Sequence, residues 1–298
     1  MIKLTFLGTA SMMPTKERNA IAMLLSYEGE HILIDCGENT QRQLRFINVD
    51  PAKITKIILT HTHGDHVLGL PGLMQTIANA NLERPLEIYG PKNTKKFIDQ
   101  LTDLFLRKTE VPKIQVHEID QGIFYENKHF QIEATRLDHT TYCLGYAFKE
   151  KDKRRINLAY TKKFGLTKHP LLGKLQQGES ITFKGKKISP KEATTLHVGK
   201  KIVFILDTKF TQNAISLAKN ADLLIIEATF SEELQEKAIE AKHLTTKDAA
   251  EIAKKAEVKK LILTHFSKRY KEVKELEKEA KKIFKNTSAA SDFLEITL

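Results

Sequence analysis

At 298 residues, with 41% hydrophobic and 29% charged side chains, the chain can build one large layered core or two small ones, and no apolar run reaches the roughly 18 residues of a membrane span. Its two cysteines, Cys36 and Cys143, are too few for a disulfide framework or a thiolate metal site, and the N-terminus lacks a signal-peptide layout, so a soluble, cytoplasmic protein is expected. The net charge of +11 points to an acidic partner and is concentrated: residues 151–200 hold thirteen Lys and Arg against Asp152, Glu179 and Glu192, a net +10 that leaves about +1 for the rest.

Strand-like runs open the chain at 2–7, 20–26 and 31–35, followed by a short polar amphipathic helix over 38–46. A strand of Ile and Leu follows at 54–60, then a helix over 67–81, a strand at 86–89 and a helix over 95–106. Several short strands fill 113–149. After 201 the pattern alternates: strand 201–206, helix 211–219, strand 222–227, helix 245–257, strand 260–264, helix 271–284, strand 293–297. Late strands such as 223–226 are apolar on both faces and need cover on both sides. The economical packing is an α/β domain of two mixed sheets face to face with helices outside. Residues 149–200 break this rhythm, beginning with the basic run Lys151-Asp-Lys-Arg-Arg155, and read as an arm inserted into a single domain spanning 1–298.

The strongest chemical signal is His61-Thr-His63-Gly-Asp65-His66 at the end of an apolar strand. Alternate residues of an extended segment share a face, so His61 and His63 can reach one ion, while Gly64 permits the turn that aims Asp65 and His66 at a second. A pair of ions needs more ligands, and candidates recur at strand ends: His139, Asp207 and His265. Taken singly each reads as a capping or hydrogen-bonded residue; beside the cluster each reads as a ligand. Glu227 ends another apolar strand, where a carboxylate needs a partner, and His243 lies in a loop that opens a helix. Such a pair can carry a proton, or can be no more than a loop cap and a solvated histidine.

The His-x-His-x-Asp-His motif resembles the metallo-β-lactamase superfamily, and the resemblance to its ribonuclease Z family runs nearly the whole length, through Phe6-Leu-Gly-Thr9, Pro14-Thr-Lys16-Glu-Arg18-Asn19, Ile34-Asp-Cys-Gly-Glu38, Thr40-Gln-Arg-Gln43, Glu227-Ala-Thr-Phe230 and Leu263-Thr-His-Phe-Ser-Lys-Arg-Tyr270. The resemblance implies an αββα four-layer sandwich in which His61, His63 and His139 hold one metal, Asp65, His66 and His265 hold the other, and Asp207 bridges them. It further implies that Asp65 acts as base, that His243 with Glu227 shuttles the proton, and that Lys16, Arg18 and Asn19 receive the tRNA end. The arm, with Lys153, Arg154 and Arg155, would grip the body of a precursor tRNA, in an enzyme that works as a homodimer. Three positions depart from the family pattern: Leu206 and Asn39 replace Gly, and Ile226 replaces His. None of them removes a ligand or a proton carrier.

The expected reaction removes the 3′ trailer and leaves a tRNA 3′-hydroxyl and a trailer 5′-phosphate. The ligand set suits two Zn²⁺ per subunit, with Mn²⁺ or Fe as possible occupants. Two rivals are another hydrolase of the same fold acting on a small ester, lactam or phosphodiester, and a non-catalytic RNA-binding protein that uses only the basic segment.

Overall fold

The computed structural model describes residues 1–298 and resolves two compact units, the larger comprising residues 1–126, 132–148 and 201–298. Its first sheet starts as an antiparallel meander of β1 (Lys3–Gly8), β2 (Ala22–Tyr27) and β3 (Glu30–Ile34), extended in parallel by β4 (Lys56–Ile58), β5 (Leu86–Gly90) and β6 (Ile114–Glu118). Between β2 and β3, Glu28 (φ 49°) and Gly29 (φ 83°) both take positive φ, which matches a two-residue turn to the right-handed twist of its strands.

Helices α1 (Thr40–Phe46), α2 (Gly64–Val67), α3 (Leu70–Ala78) and α4 (Thr94–Phe105) accompany this sheet. Leu44, Leu70, Leu73 and Ile98 from the helices pack with Leu33 and Ile57 of the strands in one buried cluster. The alternate strand residues Ile34 and Ile58 face the other way, toward Ile132, Tyr146 and Phe204. Both faces are thus covered, which is why these strands are apolar throughout.

The second sheet begins with β7 (Gly122–Glu126), β8 (Phe130–Asp138) and β9 (Tyr142–Glu150). The chain then builds the smaller unit, residues 127–131 and 149–200. That unit pairs β10 (Lys153–Ile156) with β13 (Thr194–His197) and β11 (Ile181–Phe183) with β12 (Lys186–Ile188), with short helices α5 (Leu158–Lys162), α6 (Leu171–Gln176) and α7 (Pro190–Ala193). Leu166, Leu175, Ile181, Ile188 and Ala193 give it an apolar cluster of its own.

The larger unit resumes with β14 (Lys201–Ile205), α8 (Gln212–Ala218), β15 (Leu223–Glu227), α9 (Gln235–Ala241), α10 (Thr246–Lys255), β16 (Leu261–Thr264), α11 (Lys274–Lys281), β17 (Thr287–Ala289) and β18 (Glu295–Thr297). The second sheet runs β17-β16-β15-β14-β9-β8-β7, with β14 to β17 parallel, while β18 crosses over to pair with β1. Ala214 and Leu217 of α8, Ala249 and Ala253 of α10 and Leu276 of α11 pack on its outer face. Tyr146 ties the two sheets together by donating its hydroxyl to the Leu59 carbonyl at 2.6 Å. The architecture is the expected αββα sandwich, the metallo-β-lactamase fold. No helix is long and apolar enough to cross a membrane.

The helix expected over 67–81 begins earlier and is split in two. Gly69 lies between α2 and α3, donating its N–H to the Cys36 carbonyl at 2.9 Å, and a Cβ there would collide with the carbonyl oxygen of Gly37. The break lets backbone meet backbone, a constraint invisible in the apolar periodicity.

Candidate active site

The C-terminal ends of the strands deliver the site. His61 follows β4, His139 follows β8, Asp207 follows β14, Glu227 closes β15 and His265 follows β16. At the turn after β4, His63 is still extended (φ −66°, ψ 152°) and Gly64 starts α2, so Asp65 and His66 turn away from His61 and His63. His265 is held at φ +59°, the left-handed region a β-branched residue would resist, and this turns its ring into the site.

Two groups of ligand atoms result. His63 Nδ1 lies 2.9 Å from His61 Nε2 and 3.2 Å from His139 Nε2, and Asp207 Oδ2 is 3.6 Å from each of those Nε2 atoms. The other Asp207 oxygen, Oδ1, is 3.4 Å from His66 Nε2 and 3.2 Å from His265 Nε2, while Asp65 Oδ2 is 3.5 and 3.4 Å from the same two nitrogens. Asp207 therefore presents one oxygen to each group.

Surrounding bonds decide which ring nitrogen faces inward. Asp35 Oδ2 accepts from His66 Nδ1 at 2.6 Å and from the Thr60 hydroxyl at 2.8 Å, and the Thr60 oxygen in turn lies 3.0 Å from His61 Nδ1. His139 Nδ1 faces the Lys242 carbonyl at 3.0 Å. Thr229 donates its hydroxyl to Glu227 Oε2 at 2.6 Å, leaving its lone pair for His265 Nδ1 at 3.0 Å. Each bond fixes a tautomer with Nε2 free to ligate. Asp35, Thr60 and Thr229 are thus functional residues that the sequence reading missed. The available signal was Asp35 itself, an acid set directly after the apolar strand that precedes the ligand strand; it is fully buried at φ +55°.

Burial and neighbours set the charges. Burial alone would raise Asp207, but His265 and His66 hold it well below the usual carboxylate range, and Asp65 is lowered in the same way by His265 and His66. Burial disfavours charge on His66, yet the Asp207 and Asp35 carboxylates outweigh it and lift its pKa well above the ordinary imidazole value. His61, buried and beside His66, is pushed well down. The donor set fits divalent cations: three imidazole nitrogens converge at one point, and His66 Nε2 and Asp207 Oδ1 are buried without a hydrogen-bond partner.

His243, just after α9, completes the constellation. Its Nδ1 lies 3.0 and 3.1 Å from the two oxygens of buried Glu227, and its Nε2 is 3.9 Å from Asp207 Oδ2. Burial works against charge on His243, but Glu227 prevails, and its pKa is pushed up to about 9. A cleft of about 460 Å³, lined by Met12, His63, Leu68, His139 and His243 among others, opens onto the metal ligands. The Met12 N–H donates to Asp65 Oδ2 at 2.7 Å and fastens the 11–19 loop to the site.

Residues expected to touch RNA are placed differently from one another. Lys16 is exposed, whereas Arg18 is only 7% exposed and donates to the carbonyls of Tyr270 (2.6 Å) and Lys271 (3.3 Å). Arg18 therefore holds two loops together and has no free guanidinium face, a correction to its reading as a substrate contact. Asn19 donates its side-chain amide to the Glu38 carbonyl at 2.8 Å, and its backbone N–H to Asp292 at 2.7 Å. In the smaller unit Arg155 is exposed, Lys153 lies 3.8 Å from Glu150, and Arg154 donates to Thr194 at 3.2 Å. Asn39, which stands where the family has Gly, takes φ +67°, so its short polar side chain keeps the left-handed turn.

The fold and the convergent His/Asp site define a metal-dependent hydrolase of the metallo-β-lactamase superfamily. A family model for the anti-Pycsar protein Apyc1 matches residues 2–161, and one for the beta-lactamase superfamily domain matches 162–266. Ribonuclease Z of Archaeoglobus fulgidus is 39% identical, with 99% of this chain and 97% of that protein aligned, and ribonuclease Z of Lactococcus lactis is 40% identical, with 99% of each aligned. Among solved structures, the short form of human tRNase Z superposes with a TM-score of 0.71 at 29% identity, covering 99% of this chain and 98% of that one. The chain belongs to the ribonuclease Z family, metal-dependent endoribonucleases of tRNA 3′-end processing.

Proposed function

We propose that the protein removes the 3′ trailer from precursor tRNA, holding two zinc ions per subunit and leaving a tRNA 3′-hydroxyl and a trailer 5′-phosphate. The observation that carries this reading is the placement of Asp207, with one oxygen toward each ligand group and His243 Nε2 at 3.9 Å on the cleft side. His61, His63 and His139 would hold one ion, Asp65, His66 and His265 the other, and Asp207 both. When bound, such a pair supplies Lewis-acid stabilisation of charge on phosphate and makes water acidic enough to react near neutral pH.

The chain's own groups do the rest. Asp65, ionised and held by the Met12 N–H, accepts the proton of the attacking water. His243 keeps its Nδ1 proton on Glu227 and donates its Nε2 proton to the departing 3′-oxygen, a role suited to an imidazole charged at neutral pH. Lys16, on the exposed loop held by Arg18 and Asn19, meets the RNA end. The basic arm, with Lys153, Arg154 and Arg155, tracks phosphates of the tRNA body, and the working form is a cytoplasmic homodimer. Imidazole and carboxylate ligands favour zinc, with manganese or iron as the next fits.

The test measures metal content and then turnover of a precursor with a 3′ trailer before and after chelation. Two zinc ions per chain and metal-dependent cutting at the trailer junction are expected. Metal with lactam turnover but no RNA cleavage would replace this reading with a small-molecule hydrolase, and absence of metal would leave only an RNA-binding role.

A further inference from the structure

A second cleft, of about 370 Å³, lies beside the first. It is lined by Asn39, Gln41, Arg42, Arg45, Leu68, Gly69 and Gly72, and Leu68 forms a wall of both. Arg42 and Arg45 stand one turn apart on α1, so both side chains reach the same face, and both are exposed. Neither guanidinium makes an ion pair or a hydrogen bond; the Arg42 guanidinium instead lies over the Phe46 ring, 4.5 Å from its centroid, which fixes the side chain without using its donors. Two uncommitted arginines in one cleft are notable in a chain that carries only about +1 outside residues 151–200. Leu68 is itself 56% exposed, an apolar ledge between the two clefts.

We propose that this second cleft is a subsite for the trailer strand, in which Arg42 and Arg45 take a phosphodiester downstream of the cut and Leu68 supports the base that crosses between the clefts. The assignment rests on the reading of the active site given under the proposed function. There His243, after α9, protonates the 3′-oxygen of the tRNA, so the tRNA body lies on the α9 side of the reacting phosphate. The trailer keeps the phosphate and must leave on the opposite side. Leu68, directly after the helix that carries Asp65 and His66, lines both the active-site cleft and the second cleft. A guanidinium pair suits phosphate oxygens, and an exposed apolar side chain suits a base face.

The test uses the metal-loaded full chain and two precursors that differ only in carrying a one-nucleotide or an extended trailer. For R42A/R45A, the preference in kcat/KM for the extended over the one-nucleotide trailer should fall by about tenfold, the cost of losing a charged hydrogen bond to phosphate. The log–log salt dependence of binding the extended precursor should become shallower by about 0.7, one single-strand phosphate contact. R42K/R45K should keep that salt dependence. An unchanged preference overturns the proposal, and equal losses on both precursors would place the arginines on the tRNA body. If the parent leaves both precursors intact, the nuclease reading fails instead, and the subsite is still decided by the anisotropy of a 5′-phosphorylated trailer oligonucleotide. Weaker binding of that probe by R42A/R45A than by the parent supports the subsite, and equal binding rejects it.

Discussion

At the scale of single residues, the site rests on one segment: His61, His63, Asp65 and His66 fall within six positions, and an extended stretch followed by a turn divides them between two groups of candidate ligand atoms. Asp207, His139 and His265 became readable only beside that cluster, since an isolated acid or histidine after a strand usually caps it. Asp35 was not readable as a site residue, because its role depends on a strand pairing that brings Thr60 and His66 against it. Asp35→Asn should weaken metal binding by roughly 10–100-fold, the usual effect of removing a carboxylate behind a ligating histidine. Competition with a chelating dye measures this, and unchanged affinity would mean that Asp35 only fastens the backbone. His243→Ala should slow precursor cleavage by roughly 10²–10⁴-fold while sparing a phosphodiester with a good leaving group. Equal losses on the two substrates would remove His243 from the proton-donating role.

At the scale of elements, the ligand strand β4 is clamped by charge. Lys56, nearly buried, lies 2.9 Å from Glu30 on β3 and 3.2 Å from Glu87 on β5, with its ammonium 4.5 Å from the Tyr125 ring centroid. Burial would raise the Glu30 carboxyl, but bonds from Thr55 and Lys56 bring it below its ordinary value of 4.5. A depressed folded-state pKa means that this stabilisation is complete above the unfolded value and is lost as pH falls through the folded one. Glu30→Gln should therefore cost about 1 kcal/mol at neutral pH, a modest figure for a partly exposed pair. Denaturant titrations below pH 4.5 should show parent and variant converging; a constant difference at all pH values would contradict the assignment. The strand and helix alternation after residue 201 was legible because each element is long enough to show its period. The break at Gly69 and the short strand β17 were not, since the first depends on a backbone contact across the chain and the second has three residues.

At the scale of the molecule, the arm is legible in the sequence from its basic charge and its break in the strand-helix rhythm, and residues 149–200 form most of a compact unit with its own apolar cluster. Its internal order was hidden because none of its helices or strands exceeds six residues, too short for a periodic signal. Replacing residues 152–198 with a glycine-serine linker should abolish precursor-tRNA binding yet preserve hydrolysis of a small phosphodiester, because every metal ligand lies in the other unit. Retained precursor binding at equal salt would move the RNA contacts to the larger unit. In the proposed reaction, water would cut the RNA without help from the neighbouring ribose. Mapping the ends of the cleaved precursor tests it most directly. A tRNA 3′-hydroxyl and a trailer 5′-phosphate are predicted, and a 2′,3′-cyclic phosphate on the tRNA would contradict the account.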